Sequence, residues 1–227
     1  MAVTEVPRRG RELGVVFDMD GVLIASTMFH SQAFAEILAP LGIAEFSYPR
    51  FAGWRTPDVF QTVFAEAGLS VTDDEIDECS KRKRARSREL LEGQSQLFEE
   101  CAPLVRKLSA RYPMALASSG SRRSVETFLE KSGLLGTFQA VVSGDDVTRA
   151  KPDPEIFARA IAGLQLAPRQ CVVVEDAAAG IQAACAAGAI ACGFGQGAQA
   201  VLTQAGARCV IGSLDELPVF LENLHLS

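Results

Sequence analysis

The chain has 227 residues, of which 48% are hydrophobic and 22% charged, and its net charge is −6 at pH 7. Such a chain can bury a sizeable core, in one domain or in one domain with a smaller insert. The negative balance favours neither nucleic acid nor an anionic membrane as a partner. No run approaches the roughly 20 apolar residues of a membrane span.

Six cysteines are present, and none of them forms a C-x-x-C pair. Most of them lie among small apolar residues, which is typical of reduced thiols packed in a cytosolic protein. No apolar stretch of a signal peptide precedes the first acidic motif. We therefore expect a cytoplasmic protein, and we take it to be a monomer.

The first predicted element is a strand, the apolar run L-G-V-V at 13–16, which leads into F-D-M-D-G. Asp18 and Asp20 therefore lie at the carboxyl end of a buried strand, where open α/β sheets bind ligands. Gly21 allows the backbone to bend, so that both carboxylates can serve one site. With one as nucleophile and the other as acid/base, the pair suits phosphoryl transfer through an aspartyl phosphate beside a metal.

Helical periodicity dominates the chain from 24 to 96. Apolar residues recur at helical spacing over 33–41 and 59–67, and T-D-D-E at 72–75 is typical of a capping box. No strand candidate interrupts this segment. We interpret it as an inserted all-helical cap domain with hinges at 24–27 and 93–96, while 1–23 and 97–227 form the core domain.

Helices and strands alternate in the remainder of the chain. Apolar runs predict strands at 114–117, 140–142, 171–174 and 189–192, with amphipathic segments between them. Strands separated by helices predict a doubly wound parallel α/β sheet, a Rossmann-like core.

Polar residues follow three of these later elements. Ser118 and Ser119 precede a helix, and hydroxyls and amides at a helix N-terminus suit phosphate. Lys151 lies in K-P-D-P, where prolines restrict the backbone around a cation that would neutralise phosphate charge. Glu175 and Asp176 end an apolar strand, and adjacent acids there favour a cation such as Mg²⁺. Each feature alone also fits a turn or a helix cap, so the specific signal is their combination.

The motifs in this order resemble those of a known family. F-D-M-D-G-V at 17–22, Ser118, K-P-D-P at 151–154 and V-V-E-D-x-x-x-G-I at 173–181 are similar to the four motifs of the haloacid dehalogenase-like (HAD) superfamily. The resemblance covers nearly the whole chain. With the helical insert after the first motif, it is to the branch of phosphatases and phosphomutases that have a helical cap.

The resemblance implies a role for each motif. Asp18 becomes phosphorylated, and Asp20 acts as general acid/base. The presence of Asp20 favours phosphate chemistry over dehalogenation, because a halide leaves without a proton. By the same resemblance, Ser118 and Lys151 hold the phosphoryl group. Mg²⁺ is held by Asp18, the main-chain carbonyl of Asp20 and Asp176, with Glu175 close by.

The predicted cap should select the substrate. His30 lies where many family members place a histidine facing the site, and F-A-G-W-R at 51–55 resembles the cap loop that reaches into it. We expect Gly53 to belong to this loop, and Trp54 and Arg55 to bind the leaving group. Packing within the cap is the alternative for His30 and Trp54.

The cap loop departs from that of β-phosphoglucomutase. Ala52 and Thr56 stand where that mutase has lysine and arginine, and Ala25 replaces an acidic residue common in the branch. A mutase must hold a second phosphate on the cap side, which requires fixed cations. We therefore favour a Mg²⁺-dependent phosphatase acting on a small phosphorylated metabolite, a sugar or polyol phosphate. The alternatives are a phosphomutase and a non-enzymatic binding protein.

Two further runs carry weaker signals. K-R-K-R-A-R-S-R at 81–88 has acidic residues one turn before it, which favours a solvated cap face; steering of anionic substrates is the alternative. G-F-G-Q-G at 193–197 lacks the spacing of a dinucleotide-binding loop, and we expect a loop near the phosphate site.

Overall fold

The computed structural model describes residues 13–94 and 100–224. Within these ranges one sheet of six parallel strands forms the centre of the molecule. The strands, in chain order, are Gly14–Phe17 (β1), Met114–Ala117 (β2), Ala140–Val142 (β3), Cys171–Glu175 (β4), Ile190–Phe194 (β5) and Cys209–Ile211 (β6). Their spatial order is β3-β2-β1-β4-β5-β6, which confirms the predicted doubly wound sheet.

Nine α-helices accompany the strands over the described ranges. Three follow β1 directly, namely Thr27–Leu38 (α1), Thr56–Glu66 (α2) and Asp73–Glu92 (α3). The other six alternate with or follow the later strands: Ala102–Ser109 (α4), Arg122–Lys131 (α5), Glu155–Leu164 (α6), Ala178–Ala186 (α7), Gln199–Gln204 (α8) and Leu217–Glu222 (α9).

Strand β1 lies at the centre of the sheet because its side chains are apolar on both faces. Val15 and Phe17 pack into one apolar cluster and Val16 into another on the opposite side. Phe17 is paired with Leu116 of β2 and with Val174 of β4, so these three strands end at one level. The residues that follow them therefore meet at one edge, at the point where the strand order reverses.

Helices α1, α2 and α3 form a separate packed unit, here called the cap. Its aromatic cluster includes Phe34, Phe60 and Phe64, all of them fully buried. The predicted capping box is confirmed, because the Thr72 hydroxyl accepts from the Glu75 amide and the Glu75 carboxylate accepts from the Thr72 amide. In the described part of the cap no strand interrupts the helices.

Some predictions from the sequence lie outside the described residues, and some elements of the structure were not predicted. Residues 95–96 of the second predicted hinge, and with them the predicted domain boundary, lie outside the described residues. Strand β6 and helices α8 and α9 were not predicted from the sequence. The six cysteines are free thiols. No described helix is long and apolar enough to cross a membrane.

Candidate active site

The carboxyl ends of β1, β2 and β4 bring the predicted motifs together. Asp18 follows β1 directly, and its amide donates to the carbonyl oxygen of Val174 at 3.0 Å. Ser118 follows β2, and its amide donates to the carbonyl oxygen of Val142. Asp18 is only 5% exposed and Ser118 only 1%. Backbone pairing thus fixes both side chains at the base of one cleft.

Lys151 connects the first and the last motif. Its Nζ lies 2.6 Å from Oδ1 of Asp18 and 2.8 Å from Oε2 of Glu175, and the residue is 2% exposed. Burial alone would lower the pKa of Lys151, but the two carboxylates outweigh it and raise the pKa above its ordinary value. The ammonium is therefore a permanent positive charge beside Asp18.

Three carboxylates surround this one ammonium. Oxygen atoms of Asp18, Glu175 and Asp176 all lie within 4.8 Å of one another. Burial, followed by the charge of Glu175, raises the pKa of both Asp18 and Asp176 well above the usual range. With the carboxylates ionised the cluster has a net negative charge. An oxygen-only donor set with excess negative charge fits Mg²⁺.

The structure gives Glu175 a different role from Asp176. Oε2 of Glu175 accepts from Lys151, and Oε1 accepts from the amide of Ala177 at 3.0 Å. Glu175 thus orients Lys151 and the start of α7, and it also belongs to the carboxylate cluster that could hold a metal. Helix α7 approaches so closely that a Cβ at Gly180 would lie 2.1 Å from Cδ of Glu175.

Gly21 allows the first motif to approach Asp176. Its φ is +85°, and a Cβ at this position would lie 1.9 Å from Oδ2 of Asp176. Any other residue would therefore push the Asp20–Gly21 loop away from Asp176. This contact explains the glycine, and the side chains of the described residues that could hold a metal beside it are Asp18, Glu175 and Asp176.

Asp20 is held from the cap side. Its Oδ1 accepts from the hydroxyl of Ser26 at 2.5 Å and lies 2.8 Å from Nε2 of His30. Burial would raise the pKa of Asp20, but His30 and Ser26 together lower it to about 2. The pKa values of Asp18 and Asp20 are thus shifted in opposite directions, because Asp18 lies beside Glu175 and Asp20 beside His30.

His30 in turn contacts a buried lysine. Its Nδ1 lies 2.8 Å from Nζ of Lys83, which sits 4.4 Å from the ring centre of Phe34. Burial lowers the pKa of Lys83 to about 7, against the opposing charge of Asp20. The structure therefore places His30 in the site, as predicted, and adds Lys83.

Lys83 corrects the interpretation of the basic run at 81–88. Lys81 and Arg82 are exposed, as a solvated face requires, but Lys83 and Ser87 are each 4% exposed. The signal was present in the sequence as helical spacing, because positions 80, 83 and 87 fall on one face of α3. The interpretation as a solvated face relied on the charge of the run and overlooked this spacing.

The cap loop reaches the core at Gly53. The hydroxyl of Ser119 donates to the carbonyl oxygen of Gly53 at 2.6 Å. Gly53 has a φ of +81°, and a Cβ there would lie 3.6 Å from Cδ of Lys151. Ser119, predicted to bind phosphate, is therefore bonded to the cap in this structure, while Gly120 donates its amide to the Ser118 hydroxyl.

Trp54 and Arg55 diverge in their contacts. Trp54 lines the chamber next to Asp18 and packs edge-on against Phe51 at 5.6 Å between ring centres. Arg55 does not line that chamber. Its Nε donates to Asp58 at 2.9 Å and its Nη1 to the carbonyl oxygen of Val147 at 3.2 Å, so Arg55 joins the cap to the core in this structure.

Comparisons with known proteins identify a family and several similar phosphatases and phosphomutases. A family model described as a haloacid dehalogenase-like hydrolase matches residues 13–188. The fructose-1-phosphate phosphatase YqaB of Escherichia coli is 32% identical over 189 residues, covering 78% of this chain and 94% of that protein. The β-phosphoglucomutase of Bacillus subtilis is 30% identical over 219 residues, covering 93% of each. The crystal structure of a β-phosphoglucomutase from Clostridium difficile shares the fold, with a TM-score of 0.80 at 20% identity over 93% of this chain and 97% of that one.

Proposed function

Because the chain belongs to the haloacid dehalogenase-like hydrolase family, in its β-phosphoglucomutase-like branch, we propose that it is a Mg²⁺-dependent phosphatase. Its substrate would be a small phosphorylated metabolite, a sugar or polyol phosphate. The observation that carries the proposal is that Lys151 bonds to Asp18 while Asp20 is held separately by His30 and Ser26. The two carboxylates in one chamber thus have separate partners, which allows them separate roles as nucleophile and acid/base.

The reaction would proceed in two displacements. A carboxylate oxygen of Asp18 attacks phosphorus and the bond to the leaving oxygen breaks, while Asp20, which must be protonated for this step, gives that oxygen its proton. Asp20 then takes a proton from a water, whose oxygen attacks phosphorus and releases inorganic phosphate from Asp18. Lys151 and the Ser118 hydroxyl would hold the transferring group throughout. Such proton transfer typically contributes roughly 10²–10⁴-fold to the rate.

Mg²⁺, when bound, would offset the repulsion between the phosphoryl group and the carboxylates. Asp18, the main-chain carbonyl of Asp20 and Asp176 would hold the ion. The support for this assignment is the net negative charge of the cluster and the engagement of both Glu175 oxygens elsewhere.

Mg²⁺ should raise the midpoint of thermal unfolding of the metal-free protein. A ligand at 100 times its Kd stabilises by about 2.7 kcal/mol. The shift should be larger at pH 7.5 than at pH 5.0, because burial and Glu175 raise the pKa of Asp18 and Asp176, so protons compete with the ion at low pH. Differential scanning fluorimetry with Mg²⁺ and with EDTA measures both effects.

The matched variants for this experiment are Asp176→Asn and Asp74→Asn. Asp74 is an exposed acid in the first turn of α3. Its variant should keep the wild-type shift, and Asp176→Asn should lose most of it. A full Mg²⁺ shift in Asp176→Asn would remove Asp176 from the ligand set.

A phosphomutase is the second candidate, favoured by the 30% identity to the mutase of Bacillus subtilis. Phosphate release from a panel of sugar and polyol phosphates, with and without glucose 1,6-bisphosphate, separates the two. A phosphatase releases phosphate without the activator. A mutase converts a sugar 1-phosphate to the 6-phosphate only with it. Neither product from any compound would overturn both.

A further inference from the structure

A second chamber adjoins the catalytic one between α3 of the cap and α5 of the core. Its volume is about 150 Å³, against about 50 Å³ for the chamber that contains Asp18. The two share five lining residues, namely Asp20, His30, Thr56, Lys83 and Gly120. The second chamber therefore begins at Asp20, the residue that would protonate the leaving group. It offers adjoining space for the rest of the substrate.

One wall of this chamber is the inner half of the basic run. Arg84, Ser87 and Arg88 line it at helical spacing, and Arg123 of α5 lines the opposite wall. None of these three guanidiniums forms an ion pair with a carboxylate of the described residues. The outer half of the run differs, since Arg86 pairs with Glu36 and Glu89.

The charge of the lining is positive. Asp20 and Glu92 are the carboxylates among the described lining residues, and Asp20 already accepts from His30 and Ser26. Glu92 lies at the far, exposed end of α3. Against them stand Lys83 and the three free guanidiniums.

A buried hydroxyl in the same wall is unsatisfied. Ser87 is 4% exposed, lines the chamber, and its Oγ has no hydrogen-bond partner. A buried polar atom without a partner is costly, and native structures rarely keep one without a reason. The Oγ is inaccessible in this conformation, so a ligand oxygen in the chamber would satisfy it once the Ser87 side chain rotates toward the chamber.

The remaining lining is apolar and suits a carbon chain. Met19, Ile24, Leu91 and Phe128 contribute to it. The chamber thus combines an apolar floor with unpaired cations and a free hydroxyl, which is the usual composition of a site for a small charged ligand.

We propose that this chamber binds the far end of the substrate, and that the substrate carries a second anionic group there. Arg84, Arg88 and Arg123 would bind that group, a carboxylate or a second phosphate, with the Ser87 hydroxyl as a further donor. The inference rests on the proposed hydrolysis at Asp18, because that reaction places the leaving group beside Asp20.

Matched substrates test the proposal. 6-Phosphogluconate and sorbitol 6-phosphate differ at C1, where the first has a carboxylate and the second an alcohol. Fructose 1,6-bisphosphate and fructose 1-phosphate differ by the second phosphate. The anionic member of at least one pair should have the larger kcat/KM, by about tenfold or more, since a charge-assisted hydrogen bond is worth that much. The pair that responds identifies the anion.

Two variants distinguish direct binding of the substrate anion in the chamber from long-range electrostatic attraction of the substrate to the basic helix. In the double variant Arg84→Gln/Arg88→Gln the advantage of the anionic substrate should fall by about tenfold or more. Arg82→Gln removes the same charge from an exposed position of the same helix and should keep the wild-type ratio. Ratios near one for both pairs in the wild type, or an equal loss in Arg82→Gln, overturn the proposal.

A binding measurement keeps the inference separate from the proposed function. Calorimetric titration of Asp18→Asn with each pair requires no turnover. Tighter binding of one anionic member, by about tenfold, supports the chamber even if no phosphate is released. Equal affinities, or binding of none of the four compounds, overturn it. Absence of phosphate release with all four would instead count against the phosphatase.

Discussion

Asp18→Asn should lower the rate of phosphate release by roughly 10⁴-fold or more while the protein remains folded, since loss of a covalent nucleophile has effects of this order. An amide has the shape of the carboxylate but cannot attack phosphorus. The assay is Mg²⁺-dependent phosphate release with the best compound of the panel. Circular dichroism and thermal unfolding verify the fold.

The stability of this variant has an expected sign. Burial and Glu175 raise the pKa of Asp18 in the folded protein. A carboxyl with a raised folded pKa contributes stability below its unfolded pKa of about 3.9, and this contribution is lost as pH rises through the folded pKa. At pH 7 and without metal, the asparagine variant should therefore be no less stable than the wild type.

Asp74→Asn is the control for activity, since Asp74 is exposed and lines neither chamber. It should retain wild-type turnover. Wild-type turnover by Asp18→Asn would rule out Asp18 as the nucleophile.

Lys151→Met should destabilise the metal-free protein by about 3–5 kcal/mol, the usual cost of removing one partner from a buried ion pair. The Asp18 and Glu175 carboxylates would remain buried without the ammonium that now lies 2.6 and 2.8 Å from them. Urea unfolding at pH 7 in EDTA measures the loss. The variant should also lose activity, because no fixed cation would face the phosphoryl group.

Lys81→Met is the matched control. Lys81 also bonds to an aspartate, Asp77, at 2.7 Å, but its side chain is 64% exposed. Its loss should change the free energy of unfolding by less than about 1 kcal/mol, because exposed ion pairs contribute little. A cost below about 1 kcal/mol for Lys151→Met as well would show that Lys151 does not neutralise the buried carboxylates.

Much of the site followed from local sequence signals. Asp18, Ser118 and Asp176 end apolar strands, and parallel strands place their carboxyl ends at one edge, so their proximity could be predicted before any contact was known. The capping box of α3 could also be predicted locally, because Thr72 and Glu75 are three residues apart and bond to each other within one turn. Such signals need no knowledge of distant residues.

Other features depend on distant partners and had no local signal. Arg55 bonds to Asp58 and to the carbonyl of Val147, which is 92 residues away in the sequence. The helical spacing of Lys83 was a local signal for its burial, but its partners had none, because α1 brings His30 and Phe34 against it. Strand β6 has three residues, only one of them buried, and so shows little hydrophobic pattern. In each case tertiary packing decides the outcome.

The bond between Ser119 and Gly53 has a kinetic consequence. With it and the Arg55–Val147 contact in place, the cap loop stands over Asp18, which is 5% exposed. We infer that a phosphorylated substrate reaches that carboxylate only after both contacts break, and that they re-form before water is excluded. Each catalytic cycle would then contain an opening and a closing step, and the opening rate would set an upper limit on turnover however fast the chemistry becomes.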